Sequence, residues 1–132
     1  MKFFIYKYVG VFSFLWALII FVLCATPGQY IPSNNWLDLL SVDKLVHAFI
    51  FCILNMLLIT LAIKREYKNW VFVVFFSLCV GYGISLELMQ AYIFSNRSAD
   101  WQDAVANTSG CIIAFFFVKR IRRLKIKVVG SL

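Results

Sequence analysis

The stretch that decides the fold is WVFVVFFSLCVGYGISLELMQAYI, residues 70–93. It contains one carboxylate, Glu87, and no lysine or arginine. A helix needs roughly 17–25 apolar residues to cross a bilayer, and this run satisfies that length. It shows no period-two alternation and is too long for a barrel strand, so a helix is predicted. Three further runs resemble it: residues 9–25, 43–63 and 101–118, the last being the shortest. No charged residue lies between Lys7 and Asp38.

Composition agrees. The chain has 132 residues, of which 63% are hydrophobic and 14% charged. Ordinary soluble domains are roughly 45–50% apolar. A soluble fold this small has too little interior for so much apolar surface, so the bilayer is the expected solvent. The predicted fold is all-α: one polytopic membrane domain over residues 1–132, with four transmembrane helices and a basic tail at 119–132. The first run has a basic start, but Cys24-Ala25-Thr26-Pro27 lacks a small-x-small cleavage site, and Leu23 is a poor lipoprotein-processing residue. It is therefore read as a retained span.

Topology follows from the basic residues. Lys2 and Lys7 precede span one. Lys64, Arg65 and Lys68 lie between spans two and three. Lys119, Arg120, Arg122, Arg123, Lys125 and Lys127 follow span four. These make eleven of the 13 basic residues, leaving Lys44 and Arg97 for the other side. The positive-inside rule places both termini in the cytoplasm of a multi-pass membrane protein. The net charge of +7 suits basic tails beside anionic lipid. No aromatic interleaving or known module supports a nucleic-acid partner.

Cys24, Cys52, Cys79 and Cys111 fall one per span at different depths, without a C-x-x-C pair. Disulfide and metal frameworks want clustered or aqueous cysteines, so these read as small packing residues. In the outer loop, Pro27, Gly28 and Pro32 break any helix. Two readings of the rest of that loop stay open: an interfacial turn capped by Ser33 or Asn34 that carries Trp36, Leu37, Leu39 and Leu40, or a plain linker. Short connections make spans two and three, and three and four, antiparallel neighbours.

The polar residues gather at the outer ends of the spans. Asp43 and His47 share one helix face, as do Glu87 and Gln90, and Asp103 and Asn107. Lys44 sits where it can snorkel to headgroups. Glu87 lies roughly 9 Å inside its span by helical rise, where a carboxylate must pair, protonate or meet water. Its candidate partners are His47, Lys44 and Arg97. Arg97 suits an anionic ligand, or a pair with Glu87 or Asp100. Asp100 has the position of a helix N-cap. Gly81, Gly83 and Ser85 form a small-residue surface for helix approach, and an Asn107-x-x-Gly110 spacing suggests close packing. Asn55 and Thr60 continue inward from the cluster.

Asp43-Lys44-x-x-His47, Glu87-x-x-Gln90, Arg97-Ser98-x-Asp100-x-x-Asp103 and Asn107-x-x-Gly110, in this order between apolar helices, resemble the VanZ-like family. The resemblance covers Pro27 to about Phe117. It implies a small bacterial membrane protein with a role in the cell envelope, since the family is named for a member linked to low-level teicoplanin resistance.

Two functions are expected from these residues. One is an outward polar pocket, made by Asp43, Lys44, His47, Glu87, Gln90, Arg97, Asp103 and Asn107. It would bind membrane lipid headgroups, lipid-linked wall precursors or a lipoglycopeptide. The other is an enzyme acting on a lipid or precursor, with His47 and Glu87 as acid–base groups and Asp43 orienting His47. No serine or cysteine is placed for covalent catalysis, and phosphate-transfer motifs are missing. The acids and His47 are metal-ligand types, but their linear spacing matches no known ligand set, so neither a metal nor any other cofactor is expected. A transporter ranks last, because four helices are few and the charges form no path across.

Overall fold

The computed structural model describes residues 2–26, 42–94 and 100–129. They form six helices: α1 (Lys2–Lys7), α2 (Val9–Ala25), α3 (Val42–Lys64), α4 (Trp70–Tyr92), α5 (Trp101–Phe115) and α6 (Val118–Val129). No strand occurs among the described residues. The outer-loop turn around Trp36 and the whole of Ser95 to Ala99, including Arg97, lie outside them.

Two helices, Asp43–Lys64 within α3 and Trp70–Tyr92, are long and apolar enough to cross a membrane. A third candidate is α5 with α6, which bend by 46° at their junction. The expected fourth span at 101–118 thus differs from the structure. The α5 helix ends at Phe115, and the basic tail is itself a helix that turns away. α2 is apolar but has 17 residues, the lower edge of a spanning length.

The distribution of side chains fits lipid rather than water outside. Phe14, Phe49, Val73 and Phe116 are exposed, while Ser13, His47, Asn55, Glu87, Gln90, Asp103 and Asn107 are buried. Exposed aromatics mark both ends of α4: Tyr67 and Trp70 at one, Tyr92 with Trp101 at the other. Such rings favour the two membrane interfaces.

In lipid, apolar contact alone does not drive helices together, so small residues and interhelical hydrogen bonds carry the association. The broadest contact is α3 against α5. Gly110 makes it possible: a Cβ there would stand 2.0 Å from the Ala48 carbonyl oxygen. About two turns further along α3, Asn55 Nδ2 donates to the Cys111 carbonyl at 2.8 Å. Gly83 admits α4 to the same core, since a Cβ there would meet the Phe51 ring at 3.2 Å and Asn107 at 3.3 Å. Gly81 faces open space and Ser85 is exposed, so of the expected small-residue surface Gly83 alone is buried in a helix contact.

α2 is attached by polar threads. Trp16 Nε1 donates to Ile50 O at 2.9 Å, Tyr82 Oη to Ala17 O at 2.7 Å, and Gln90 Nε2 to Cys24 O at 3.2 Å. Cys24, Cys79 and Cys111 are buried and Cys52 is half-buried.

At the basic end, α3 stops at a left-handed residue, Glu66 (φ 56°). Lys125 of α6 closes that end, donating to Ile63 O at 3.1 Å and to Glu66 Oε1 at 2.6 Å. The Lys125 ammonium draws the Glu66 carboxyl below its ordinary pKa. The bend before α6 therefore brings a cation to the C-terminal end of another helix, at the Ile63 carbonyl.

Replacing Gly110 by alanine forces α3 and α5 apart. The expected loss is roughly 1–3 kcal/mol or more, as for overpacked cores. Gly81→Ala should be neutral or slightly stabilising, because helical glycine costs roughly 0.5–1 kcal/mol against alanine. Unfolding of the two variants in detergent, monitored by helical circular dichroism, checks the contrast.

Candidate functional site

At the end of the bundle opposite Lys64 and Lys125, three helix termini meet: the starts of α3 and α5 and the last turns of α4. α5 begins with a side-chain cap, as Asp100 Oδ1 accepts from Gln102 N at 2.8 Å. The cap fixes Asp100, whose other oxygen Oδ2 accepts from Lys44 Nζ. Lys44 also donates to Asp103 Oδ1 at 2.6 Å and stands 3.9 Å from Asp43 Oδ2. One ammonium from α3 therefore sits among three carboxylates. It holds the Asp100 carboxyl below the ordinary carboxylate range, with help from the Gln102 amide.

His47 lies one turn deeper and is buried. Its Nδ1 is 3.1 Å from Asn107 Oδ1. An amide oxygen only accepts, so Nδ1 carries the proton, and in the neutral ring Nε2 keeps its lone pair. That nitrogen faces Asp43 Oδ1 at 3.7 Å and Asp103 Oδ2 at 3.8 Å. Asp43 and Asp103 are divided alike: one oxygen towards Lys44, the other towards His47.

Glu87 completes the group from α4. Its Oε2 accepts from the Asp100 backbone N–H at 3.3 Å. Its Oε1 is buried and has no hydrogen-bond partner among the described residues. Of the partners expected for Glu87, His47 acts on it through charge, as do Asp103 and Asp100. The hydrogen bond goes instead to a backbone amide that no side-chain spacing reveals.

Asp43 is the exposed member, at 67% for its side chain, whereas Asp103 keeps 11%. Gln90 shares a helix face with Glu87 but is committed to α2 through Cys24. Asp103 and Asn107 share a face of α5, yet each is bound across the interface, to Lys44 and His47. Asp100, read from the sequence as a cap, is both cap and ion-pair partner of Lys44. Lys44, read as a snorkelling cation, points back into the acids. Thr60 bonds within its own helix, to Met56 O, and adds nothing to the cluster.

A helical membrane bundle with a buried acid–histidine–amide cluster at one end is thus the class that fold and site define. The sequence profile of the VanZ/LLP1 family matches residues 3–123, and the chain belongs to that family. The matched segment takes in α2 to α5 and every residue of the cluster. No curated protein and no solved structure matches the chain.

Removing Lys44 leaves facing carboxylates without their cation. Lys44→Met should cost roughly 1–3 kcal/mol, below the value for fully buried pairs, because the Lys44 side chain keeps 25% exposure. Adding Asp103→Leu should recover part of that loss, a coupling that a double-mutant cycle in detergent measures. Asp100 gives an acid limb. Its folded pKa is lowered, so its contribution is present above the ordinary carboxylate pKa of about 3.9 and is lost as pH falls through the lowered value. Asp100→Asn should flatten the stability profile in that acid range.

Proposed function

We propose that this VanZ-like cell-envelope protein binds the amine- or hydroxyl-bearing polar end of an envelope lipid, a lipid-linked wall precursor or a lipoglycopeptide such as teicoplanin. The chain is then a four-span protein of the bacterial inner membrane, with both termini cytoplasmic and the acidic cluster opening to the outer leaflet. The observation that carries this reading is Glu87 Oε1, a buried acceptor without a donor among the described residues, beside Asp100 and Asp103. Three carboxylates surround one lysine there, two of them bonded to it, and a fourth, Glu87, joins through the Asp100 backbone amide. Such a site favours cationic and donor groups over anions. The exposed apolar flanks of α3 and α4 suit a ligand that keeps its hydrocarbon part in the bilayer.

A second reading rests on His47. Its proton is placed on Nδ1 by Asn107, and Nε2 is left free beside two carboxylates. That arrangement suits general-base work on a bound lipid or precursor.

Matched expression of wild type, His47→Ala, Glu87→Gln and Arg97→Ala separates the two. Teicoplanin sensitivity and the profile of membrane lipids and wall precursors are the readouts. Binding predicts loss of tolerance in Glu87→Gln with unchanged lipid chemistry. The purified variant should also show an affinity for amine-bearing headgroups in nanodiscs lower by roughly tenfold or more. A product that vanishes with His47→Ala favours the enzyme. Wild-type behaviour of all three variants would remove the functional role of the cluster. For topology, a cysteine at Ser95 should react with a membrane-impermeant maleimide added outside; labelling from inside alone would reverse the orientation.

A further inference from the structure

We propose that Asp43, His47 and Asp103 form a site for one divalent transition-metal ion of the Zn2+ or Mn2+ class. The proposal goes beyond the headgroup reading and does not depend on it. Each of the three residues offers one ligand atom, and these atoms all lie within 4.8 Å of one another. Two metal–ligand bonds of roughly 2.1 Å span at most roughly 4.2 Å, so the 3.7 and 3.8 Å from His47 Nε2 to Asp43 Oδ1 and Asp103 Oδ2 are bridgeable by one ion.

Four features of the surroundings point the same way. First, in the neutral ring Nε2 is the lone-pair nitrogen, because Nδ1–H donates to Asn107 Oδ1. A metal-binding histidine commonly has its other ring N–H fixed in this way by an oxygen, which sets the tautomer and the ring plane. Second, an imidazole lone pair facing two carboxylate oxygens is repulsive unless a proton or a metal cation lies between them. Third, Lys44 occupies Asp103 Oδ1 and faces Asp43 Oδ2, so it neutralises the outer oxygens and leaves the inner pair turned to His47.

The fourth is independent of the triad. Glu87 Oε1 comes from another helix, is buried, and has no hydrogen-bond partner among the described residues. Its other oxygen accepts from the backbone N–H of Asp100, one turn before Asp103. A water on the proposed ion is a strong donor, the kind of group this acceptor is short of. The ion's charge of two also offsets the excess of carboxylates over Lys44. One nitrogen and two oxygen ligands favour Zn2+ or Mn2+ over Ca2+, which prefers oxygen alone.

The test uses the full chain in detergent, stripped with EDTA and exchanged into metal-free buffer. ZnCl2 is titrated by calorimetry and MnCl2 by the loss of its free-ion electron paramagnetic resonance signal. The expected result is one saturable equivalent, weakened at least tenfold by His47→Ala and by Asp43→Asn. Asp43 is largely exposed and accepts no hydrogen bond within the cluster, so Asp43→Asn keeps the fold and guards against a merely unfolded variant. Helical circular dichroism and a single size-exclusion peak confirm that. No saturable binding by wild type, or binding unchanged in both variants, overturns the site. Loss of metal with intact headgroup binding overturns this proposal alone, whereas intact metal binding without headgroup affinity overturns the function proposed above and leaves this one standing.

Discussion

The rest of the structure depends on how closely α3 and α5 approach at Gly110. The absent side chain lets the Ala48 backbone occupy the space a Cβ would need, 2.0 Å from where it would stand. In a bilayer there is little apolar driving force between helices, and van der Waals contact between the two close backbones supplies part of what replaces it. The approach also sets the polar chemistry. With the backbones this close, short side chains can reach across. Asn107 meets His47, Asp103 meets Lys44, and Asn55 reaches the Cys111 carbonyl.

The cluster is consequently a joint as well as a site. Lys44 ties α3 to the first turn of α5, and the Asp100 amide ties α5 to Glu87 on α4. Buried ionic groups of this kind are costly to desolvate and contribute little net stability unless each is partnered. Among the described residues one oxygen of Glu87 is left over, and one nitrogen of His47 faces acceptors. Those two imperfections are not explained by packing. The opposite end offers the contrast: Lys125 and Glu66 satisfy one another and a helix carbonyl, which is a structural closure.

Much of this was legible in the residue order. The apolar lengths of α3 and α4 need only the thickness of a bilayer to be read as crossings. The helical spacing paired Asp43 with His47, Glu87 with Gln90 and Asp103 with Asn107 on shared faces; all are buried except Asp43, which is exposed. The role of Lys44 was not legible. A lysine near a helix start next to Asp43 has many solvated rotamers, and only the position of α5 turns it inward. The same holds for Gln90, which shares a face with Glu87 but bonds to α2. The break after Phe115 was hidden too, because apolar residues continue through Val118 without proline or glycine.

By itself, then, the amino-acid order determined the solvent, the helices and which end holds the acids. Those follow from hydrophobic length, helical period and charge count, all of them local or additive along the chain. The tertiary structure decided which acid meets which base, which oxygen is left over and that three ligand atoms converge. Those depend on the distance and rotation between helices, which Gly110 and Gly83 set through contacts with residues far away in the chain.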